Sequence, residues 1–355
     1  MKSAFATLFL LAITLIPLSA QLTFTAYPYL AYSSETRAMA GAFSFVRYDF
    51  ADPQTGTSPN RISLLGNTIF SQNHQFLLAL IPRYEYGAFM IDSSIEFSLW
   101  PDTFYGIGNS TDHDISESFT SGNYATETSL RYRLGQSLIA SVQMDLGWHE
   151  LRKTVDAGML ETMELVGKED ARHSGIGASL SFDSSGGSYY PEKGMRFELK
   201  QIWYEDALGS DFTWQKHLYD WRIYIPMGKK NVLAFQSDLE QNKGEVPYYR
   251  YPELGRRLRA YDSRRFVDKL RISQRIEHRS FPFEEGLAKR LGFVLFAETG
   301  QVAPDFQDIA LKDWHVSVGG GIRFSILPQE RLNLRADLGF GKDSINLIIN
   351  AREVF

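Results

Sequence analysis

The sequence has 355 residues, of which 44% are hydrophobic and 14% aromatic, and it contains no cysteine. This length is enough for one large domain or two ordinary ones, and the lack of cysteine excludes the lipid attachment of a bacterial lipoprotein. The formal net charge of -5 at pH 7 offers no broad basic surface for nucleic acid.

The first twenty residues have the order of a secretory signal peptide. An early lysine precedes an apolar run from Ala4 to Ile16, and a proline and small residues up to Ala20 follow. A transmembrane helix is the alternative, but the run is shorter than the roughly 20 residues that a bilayer requires. The sequence therefore predicts a signal peptide at residues 1–20 and an exported mature chain at residues 21–355.

The mature chain alternates polar and apolar residues over long runs, which is typical of half-buried strands. Met195, Phe197 and Leu199, for example, share one face of a run whose charged residues lie on the other face. Strands of soluble sandwiches usually have about five or six residues, whereas these runs are longer and many end in aromatic residues. The pattern predicts an all-β fold, a transmembrane antiparallel β-barrel whose closed sheet leaves no backbone edge in lipid.

Sixteen such runs can be counted, from "AYPYLAYSSE" to "INLIINAREVF". If the first strand starts in the periplasm, the connections after odd-numbered strands face outward. "DTFYGIGNSTDHDISESFT" and the arginine-rich stretch then lie outside, and "PEKG" and "MGKKN" lie in the periplasm. Short periplasmic turns and longer external loops are the pattern of outer-membrane barrels.

The stretch "LGRRLRAYDSRRF", Leu254 to Phe266, has five arginines against one aspartate. These arginines repel one another, and an acidic lumen would relieve the repulsion. The alternation of strand residues places Glu277 on a polar face that points into the lumen. The other carboxylates that we expect to line this lumen are Asp238, Glu240 and Glu298.

A solvated loop that contacts lipopolysaccharide phosphates is the alternative for this stretch. We expect Arg264 on its solvent side. The arginines available for phosphate even if Arg259 is buried are Arg256, Arg257, Arg264 and Arg265.

The sequence gives little support to catalysis. The most suggestive cluster is "STDHD", with His113 between two aspartates, but these side chains cannot all point at one ion without a tight turn. A plain hydrophilic loop accounts for it. No nucleotide, haem or zinc motif is present, and we predict no enzyme activity, no cofactor and no metal site.

Several short motifs, taken in their order along the predicted strands, resemble the barrel domain of the BamA/TamA-like outer-membrane proteins of the bacterial surface antigen superfamily. The resemblance covers nearly all of the mature chain. The motifs are "PYLAYSSETRAMAG", "FYGIGN" from Phe104 to Asn109, the turn "YYPEKG" with Tyr190, Pro191 and Gly194, "LRAY" from Leu258 to Tyr261, and "FAETG" from Phe296 to Gly300.

The resemblance implies that the sixth extracellular loop folds into the lumen, where its arginine pairs with acidic residues of strands 12 and 13. Such an arginine fork makes geometrically specific bonds to carboxylates. We call the implied residues the loop lock: Arg259, Tyr261, Glu277, Glu298 and Gly300.

The chain departs from the family at two positions of the loop lock. Ala260 replaces the usual glycine and adds a side chain where the backbone turns tightly. Glu298 stands where the family has aspartate and is one methylene longer. We also expect none of the periplasmic POTRA domains that precede the barrel in family members that insert or translocate proteins, because the predicted signal peptide and the first strand are only a few residues apart.

The resemblance implies a protein of the bacterial outer membrane that acts in outer-membrane assembly or in protein or lipid translocation with a separate partner. Lateral opening between strands 1 and 16 is one route for such an activity. The alternative is a passive channel or porin for small solutes. The expected partners are outer-membrane lipid and lipopolysaccharide, the barrel-assembly machinery during biogenesis, and a periplasmic subunit or further copies of the chain.

The last predicted strand also resembles the terminal signal that the barrel-assembly machinery reads. We expect Phe355 to lie on the same apolar face as Ile345, Leu347, Ile349 and Ala351, in a row that Glu353 interrupts.

Overall fold

A computed structural model describes residues 21–33, 35–50, 60–186, 189–327, 332–351 and 353–355. The predicted signal peptide lies outside these residues. Sixteen antiparallel strands of the described chain form one closed barrel. Each strand pairs with its neighbours in sequence, and β1 pairs with β16 to close the ring. The sixteen strands predicted from the alternation are therefore confirmed.

The strands have the following bounds: β1 Gln21–Ser33, β2 Arg37–Phe50, β3 Asn60–Ser71, β4 Phe76–Tyr86, β5 Phe89–Phe104, β6 Glu117–Leu134, β7 Leu138–Lys153, β8 Ala171–Asp183, β9 Gly194–Tyr204, β10 Trp214–Pro226, β11 Asn231–Gly244, β12 Leu270–Ser280, β13 Leu291–Ala303, β14 His315–Leu327, β15 Leu332–Gly341 and β16 Ser344–Ala351. One helical turn, α1, spans Met159–Thr162. Short 3-10 turns span Asp206–Leu208, Tyr248–Arg250, Leu287–Arg290, Phe306–Asp308 and Leu311–Asp313. Within the described ranges, no helix has the length and apolar character needed to cross a membrane.

Side chains alternate between the outside and the inside of the barrel. In β13, Phe293 and Leu295 are 40% and 66% exposed, whereas Phe296 and Glu298 are buried. The same alternation gives the other strands an apolar outer face, which a bilayer would cover, and an inner face rich in charged residues. This arrangement is that of a transmembrane β-barrel.

The two ends of the barrel differ in their connections. The longest connections, residues 105–116, 154–170, 245–269 and 304–314, all follow odd-numbered strands, and we call this side the loop end. The opposite side, the turn end, has short connections such as residues 135–137 and 227–230. Since outer-membrane barrels have short periplasmic turns, the loop end corresponds to the cell exterior.

The connection between β11 and β12, residues 245–269, is called here the arginine-rich loop. It folds back against the inner wall of β12 to β15 and forms an apolar core of its own. Leu254, Leu258, Tyr261 and Phe266 are buried together with Val302 of β13. A backbone hydrogen bond of 3.1 Å from the Leu258 N–H to the Leu254 carbonyl closes a turn within this core, so the loop is a compact body.

The position expected for Phe355 is wrong. Ile345 and Leu347 of β16 do face outward, 68% and 42% exposed, but β16 ends at Ala351 and Phe355 is buried inside the barrel. The physical reason is a polar and aromatic pocket that includes Arg279 of β12, four strands from β16 around the ring. The Arg279 side chain donates a hydrogen bond of 2.9 Å to the Phe355 carbonyl oxygen.

Candidate functional site

The arginine-rich loop contacts the barrel wall most closely through Arg259. Its guanidinium lies 2.6 Å from Glu277 Oε1, 2.7 Å from Glu298 Oε1 and 3.2 Å from Asp337 Oδ2. It also lies over the Phe296 ring, 3.4 Å from the ring centroid, a favourable cation–π position. Arg259 and the three carboxylates, all buried, form what we call the Arg259 site.

The strand alternation brings the three carboxylates together. Glu277 lies on the inner face of β12, Glu298 on that of β13 and Asp337 on that of β15. Glu298 additionally accepts a hydrogen bond of 2.6 Å from the Arg259 backbone N–H. The site therefore fixes both the side chain and the backbone of the loop at this residue.

The three carboxylates differ in how much they depend on Arg259. Glu277 also pairs with Arg279 at 2.7 Å, and Asp337 also pairs with two wall arginines at 2.5 and 2.6 Å. Within the described part of the chain, Glu298 has no second cation inside 4.0 Å. Burial lowers the pKa of Arg259, but the three carboxylates raise it more, so the pKa lies above its ordinary value and the charge is retained.

The other residues of the loop lock also lie at the contact between loop and wall. The Tyr261 hydroxyl donates a hydrogen bond of 3.2 Å to the Val316 carbonyl and accepts one of 3.1 Å from the Lys342 N–H. Gly300 faces Leu254 of the loop, and a Cβ added at Gly300 would lie 2.6 Å from Leu254 Cδ1. The structure thus places all five predicted residues at the contact between the loop and the wall.

Ala260 occupies its tight position because the wall opposite it lacks side chains. A Cβ added at Gly339 of β15 would lie 2.8 Å from the Ala260 nitrogen, and one added at Gly341 would lie 3.0 Å from the Ala260 Cβ. Glycines of the wall therefore provide the room that a glycine in the loop would otherwise provide. The Ala260 N–H donates to Ser317 Oγ at 3.1 Å.

The expectation that Arg264 faces solvent is wrong. Arg264 and Arg265 are only 7% and 8% exposed. The loop of residues 105–116 contacts Arg265, which donates a hydrogen bond of 2.6 Å to the Thr111 carbonyl oxygen. Arg264 lies 3.7 Å from Glu253 of its own loop and 3.9 Å from Asp102 of β5. These two arginines are not available for lipopolysaccharide phosphates.

The remaining arginines of the stretch are closer to solvent. The side chain of Arg256 is 63% exposed and pairs with Glu253 at 2.8 Å. Arg257 lies 3.5 Å from Asp238, one of the carboxylates expected to line the lumen. Glu240, another of them, pairs with Lys216 at 2.8 Å. Contact with lipopolysaccharide could thus involve Arg256, but not most of the stretch.

A second contact between the loop and the wall has no counterpart among the residues predicted from the sequence. Arg250 lies 2.6 Å from Asp145 Oδ2 on β7, and the Tyr204 hydroxyl donates to the same oxygen at 2.5 Å. The Tyr204 ring stacks on Trp214 at 3.8 Å between centroids. The strand alternation indicates that Asp145 faces inward, but nothing in the sequence connects it with Arg250. The loop is held on two opposite sides of the lumen.

The predicted turn motif lies at the turn end. Gly194 has a φ of 99°, and an added Cβ would lie 2.6 Å from the Ser184 carbonyl oxygen, so glycine is required there. Pro191 and Tyr190 are buried, and the Tyr190 ring meets Phe281 edge-on at 5.4 Å. The motif shapes the lumen wall below the Arg259 site.

The "STDHD" cluster lies on the surface of the loop end. His113 contacts Asp114 at 3.3 Å, and both side chains are largely exposed. Over the described ranges, no three histidine, aspartate or glutamate side chains are grouped closely enough to hold a metal ion.

Comparison with known proteins finds similarity in the fold. No protein-family model and no curated protein matches the sequence. Among solved structures, BamA from Haemophilus ducreyi lacking POTRA domains 1–3 superposes with a TM-score of 0.62 at 12% identity, over 94% of this chain and 70% of that chain. CdiB from Escherichia coli gives a TM-score of 0.58 at 9% identity, over 95% and 63% of the two chains.

CdiB from Acinetobacter baumannii gives a TM-score of 0.54 at 8% identity, over 94% of this chain and 65% of that chain. This chain thus spans less than two thirds of either CdiB chain. At these identities the similarity concerns the fold, and it agrees with the fold that the motifs implied. The chain has a sixteen-strand barrel fold similar to that of the BamA and CdiB barrels of bacterial outer membranes.

Proposed function

We propose that this chain is a short outer-membrane barrel of the BamA/TamA-like superfamily that acts in outer-membrane assembly or in protein or lipid translocation, together with a separate partner. The fold similarity, the apolar outer face and the Arg259 site support this proposal. The observation that carries it is the weak pairing between the first and last strands.

The seam between β1 and β16 is the weakest part of the sheet. Every residue of β1 has a partner in β2, and all eight residues of β16 have partners in β15. Among the described residues, β1 and β16 share one register pair, Tyr32 with Ile349. Each ladder hydrogen bond contributes about 0.5–1.5 kcal/mol, so opening this seam breaks far fewer bonds than opening any other.

An open seam would expose two strand edges to the bilayer. Unpaired N–H and C=O groups of such an edge pair readily with another chain, and the membrane would otherwise leave them unsatisfied. An unfolded barrel precursor could therefore pair with β1, and a lipid could pass through the gap. This is the chemistry that assembly or translocation requires.

A disulfide across the seam tests the proposal. Because the chain has no cysteine, Tyr32→Cys with Ile349→Cys introduces a single pair at register partners. In proteoliposomes, the reduced variant should accelerate folding of a urea-denatured eight-strand barrel protein relative to empty liposomes. The oxidised variant should lose this acceleration, and dithiothreitol should restore it.

The matched control places the disulfide between two strands that are fully paired. Tyr219→Cys with Leu239→Cys joins register partners of β10 and β11, and its oxidation should leave the acceleration unchanged. If neither the parent nor the reduced variants accelerate folding, the barrel does not catalyse assembly without its partner. Acceleration that survives the seam disulfide would reject the seam as the route.

A further inference from the structure

The last residues that the structure describes lie inside the barrel at the turn end. We call residues Glu353–Phe355 the tail. β16 ends at Ala351, beside β1 and β15, whereas Phe355 packs against Tyr224 of β10 and Ala234 of β11. These strands are five and six places from β16 around the ring of sixteen, so the tail lies inside the lumen near the turn end.

Phe355 lies in a pocket formed by arginine and tyrosine side chains. The guanidinium groups of Arg275 and Arg279 lie over its ring, 4.9 and 5.0 Å from the centroid. Arg279 also donates to the Phe355 carbonyl oxygen at 2.9 Å, and Tyr190 and Tyr224 belong to the same buried cluster. The ring is 5% exposed, so water is excluded from the arginines behind it.

The tail and the Arg259 site share charged groups. Arg279, which holds Phe355, pairs with Glu277 at 2.7 Å. The other oxygen of Glu277 lies 2.6 Å from Arg259. One carboxylate therefore lies between the arginine that holds the tail and the arginine that holds the loop.

A second series of ion pairs connects the tail with the arginine-rich loop. Glu353 of the tail pairs with Arg323 at 2.8 Å, Arg323 pairs with Asp337 at 2.5 Å, and Asp337 lies 3.2 Å from Arg259. The charged side chains in both series of ion pairs are buried. Interactions between charges are much stronger there than in water.

We propose that the tail and the arginine-rich loop are coupled elements inside the lumen, so that release of one loosens the other. When the tail leaves, water reaches Arg279 and Arg323 from the turn end and weakens their pairs with Glu277 and Asp337. When the loop leaves, these carboxylates lose Arg259, and the arginines that hold the tail are repositioned. Such coupling is reciprocal.

The coupling can be measured by thiol labelling in nanodiscs, where both ends of the barrel are accessible. Ser263 of the loop is 8% exposed, and Ser263→Cys supplies a single thiol for a membrane-impermeant maleimide. Adding Phe355→Ala at the opposite end should raise the labelling rate of this thiol about fivefold or more, the range of typical allosteric coupling.

The reciprocal experiment places the thiol in the tail. With Val354→Cys as the only thiol, Arg259→Lys should raise its labelling rate by a similar factor. Folding of each variant is verified by faster gel migration before heating than after. If Phe355→Ala does not fold, Glu353→Gln, which weakens the contact with Arg323, takes its place.

The control is Phe283→Ala, which removes a 44% exposed phenylalanine at the same end of the barrel and should leave labelling of the Ser263→Cys thiol unchanged. Increases in both directions support the coupling. A thiol in either segment that keeps the parent labelling rate when the opposite segment is substituted would show that the two segments are independent and overturn the proposal, as would an equal effect of Phe283→Ala.

Discussion

Arg259→Ala should release the arginine-rich loop from the barrel wall. The substitution leaves Glu298 buried without its charged partner, and breaking such a pair typically costs about 3–5 kcal/mol. Glu277 and Asp337 keep other arginines, so the loss centres on Glu298. In liposomes, limited proteolysis read by mass spectrometry should show faster cleavage within residues 245–269 than in the parent.

Two further variants make this experiment specific. Arg256→Ala removes an arginine of the same loop that is 63% exposed, and since exposed pairs contribute about 0–1 kcal/mol, its cleavage should match the parent. Arg259→Lys should be intermediate, because an ammonium cannot reproduce the planar fork. Equal cleavage of Arg259→Ala and the parent would show that Arg259 does not hold the loop.

Gly339→Val should displace the same loop without removing any charge. A Cβ at this position would lie 2.8 Å from the Ala260 nitrogen and 2.9 Å from the Arg259 carbonyl carbon, so the loop backbone must move. Overpacking of this kind typically costs about 1–3 kcal/mol. We expect faster hydrogen exchange at Arg259, Ala260 and Tyr261, with the other strands protected as in the parent.

The matched control is Gly320→Val on the neighbouring strand, whose side chain would point outward. Its nearest neighbour would be the Val294 carbonyl oxygen at 3.3 Å, and no loop atom is close. Exchange in the loop should then stay at the parent level. If Gly339→Val leaves exchange of the loop unchanged, the loop does not pack against β15 in the membrane.

The barrel is predictable because each strand repeats one physical pattern. A period of two residues separates an apolar outer face from a charged inner face, and this period alone is enough to place Glu277 and Glu298 on the inner wall. The same alternation in "LNLRADLGFG" points Asp337 inward, so this third carboxylate could have been found. No pattern in the sequence relates Asp337 to Arg259. Asp337 lies on β15, and β14 separates this strand from β13, which carries Glu298.

The parts that sequence reasoning missed depend on contacts between distant segments. The sequence places Arg264 on the solvent side of its loop, but the fold buries it between Glu253 and Asp102 of β5. Phe355 continues the apolar alternation of β16, yet the chain leaves the strand after Ala351 and two arginines of β12 hold the ring inside. Arg250 and Asp145 meet across the lumen, at a separation in sequence that no local pattern encodes.

Single-channel conductance in planar bilayers tests the central claim, that Arg259 holds the arginine-rich loop inside the lumen and so obstructs it. The parent should give small, unsteady currents, and Arg259→Ala should give larger ones because its loop leaves the lumen more often. Large, stable currents from the parent would show that the lumen is open. This result would contradict the claim and favour a passive channel for small solutes.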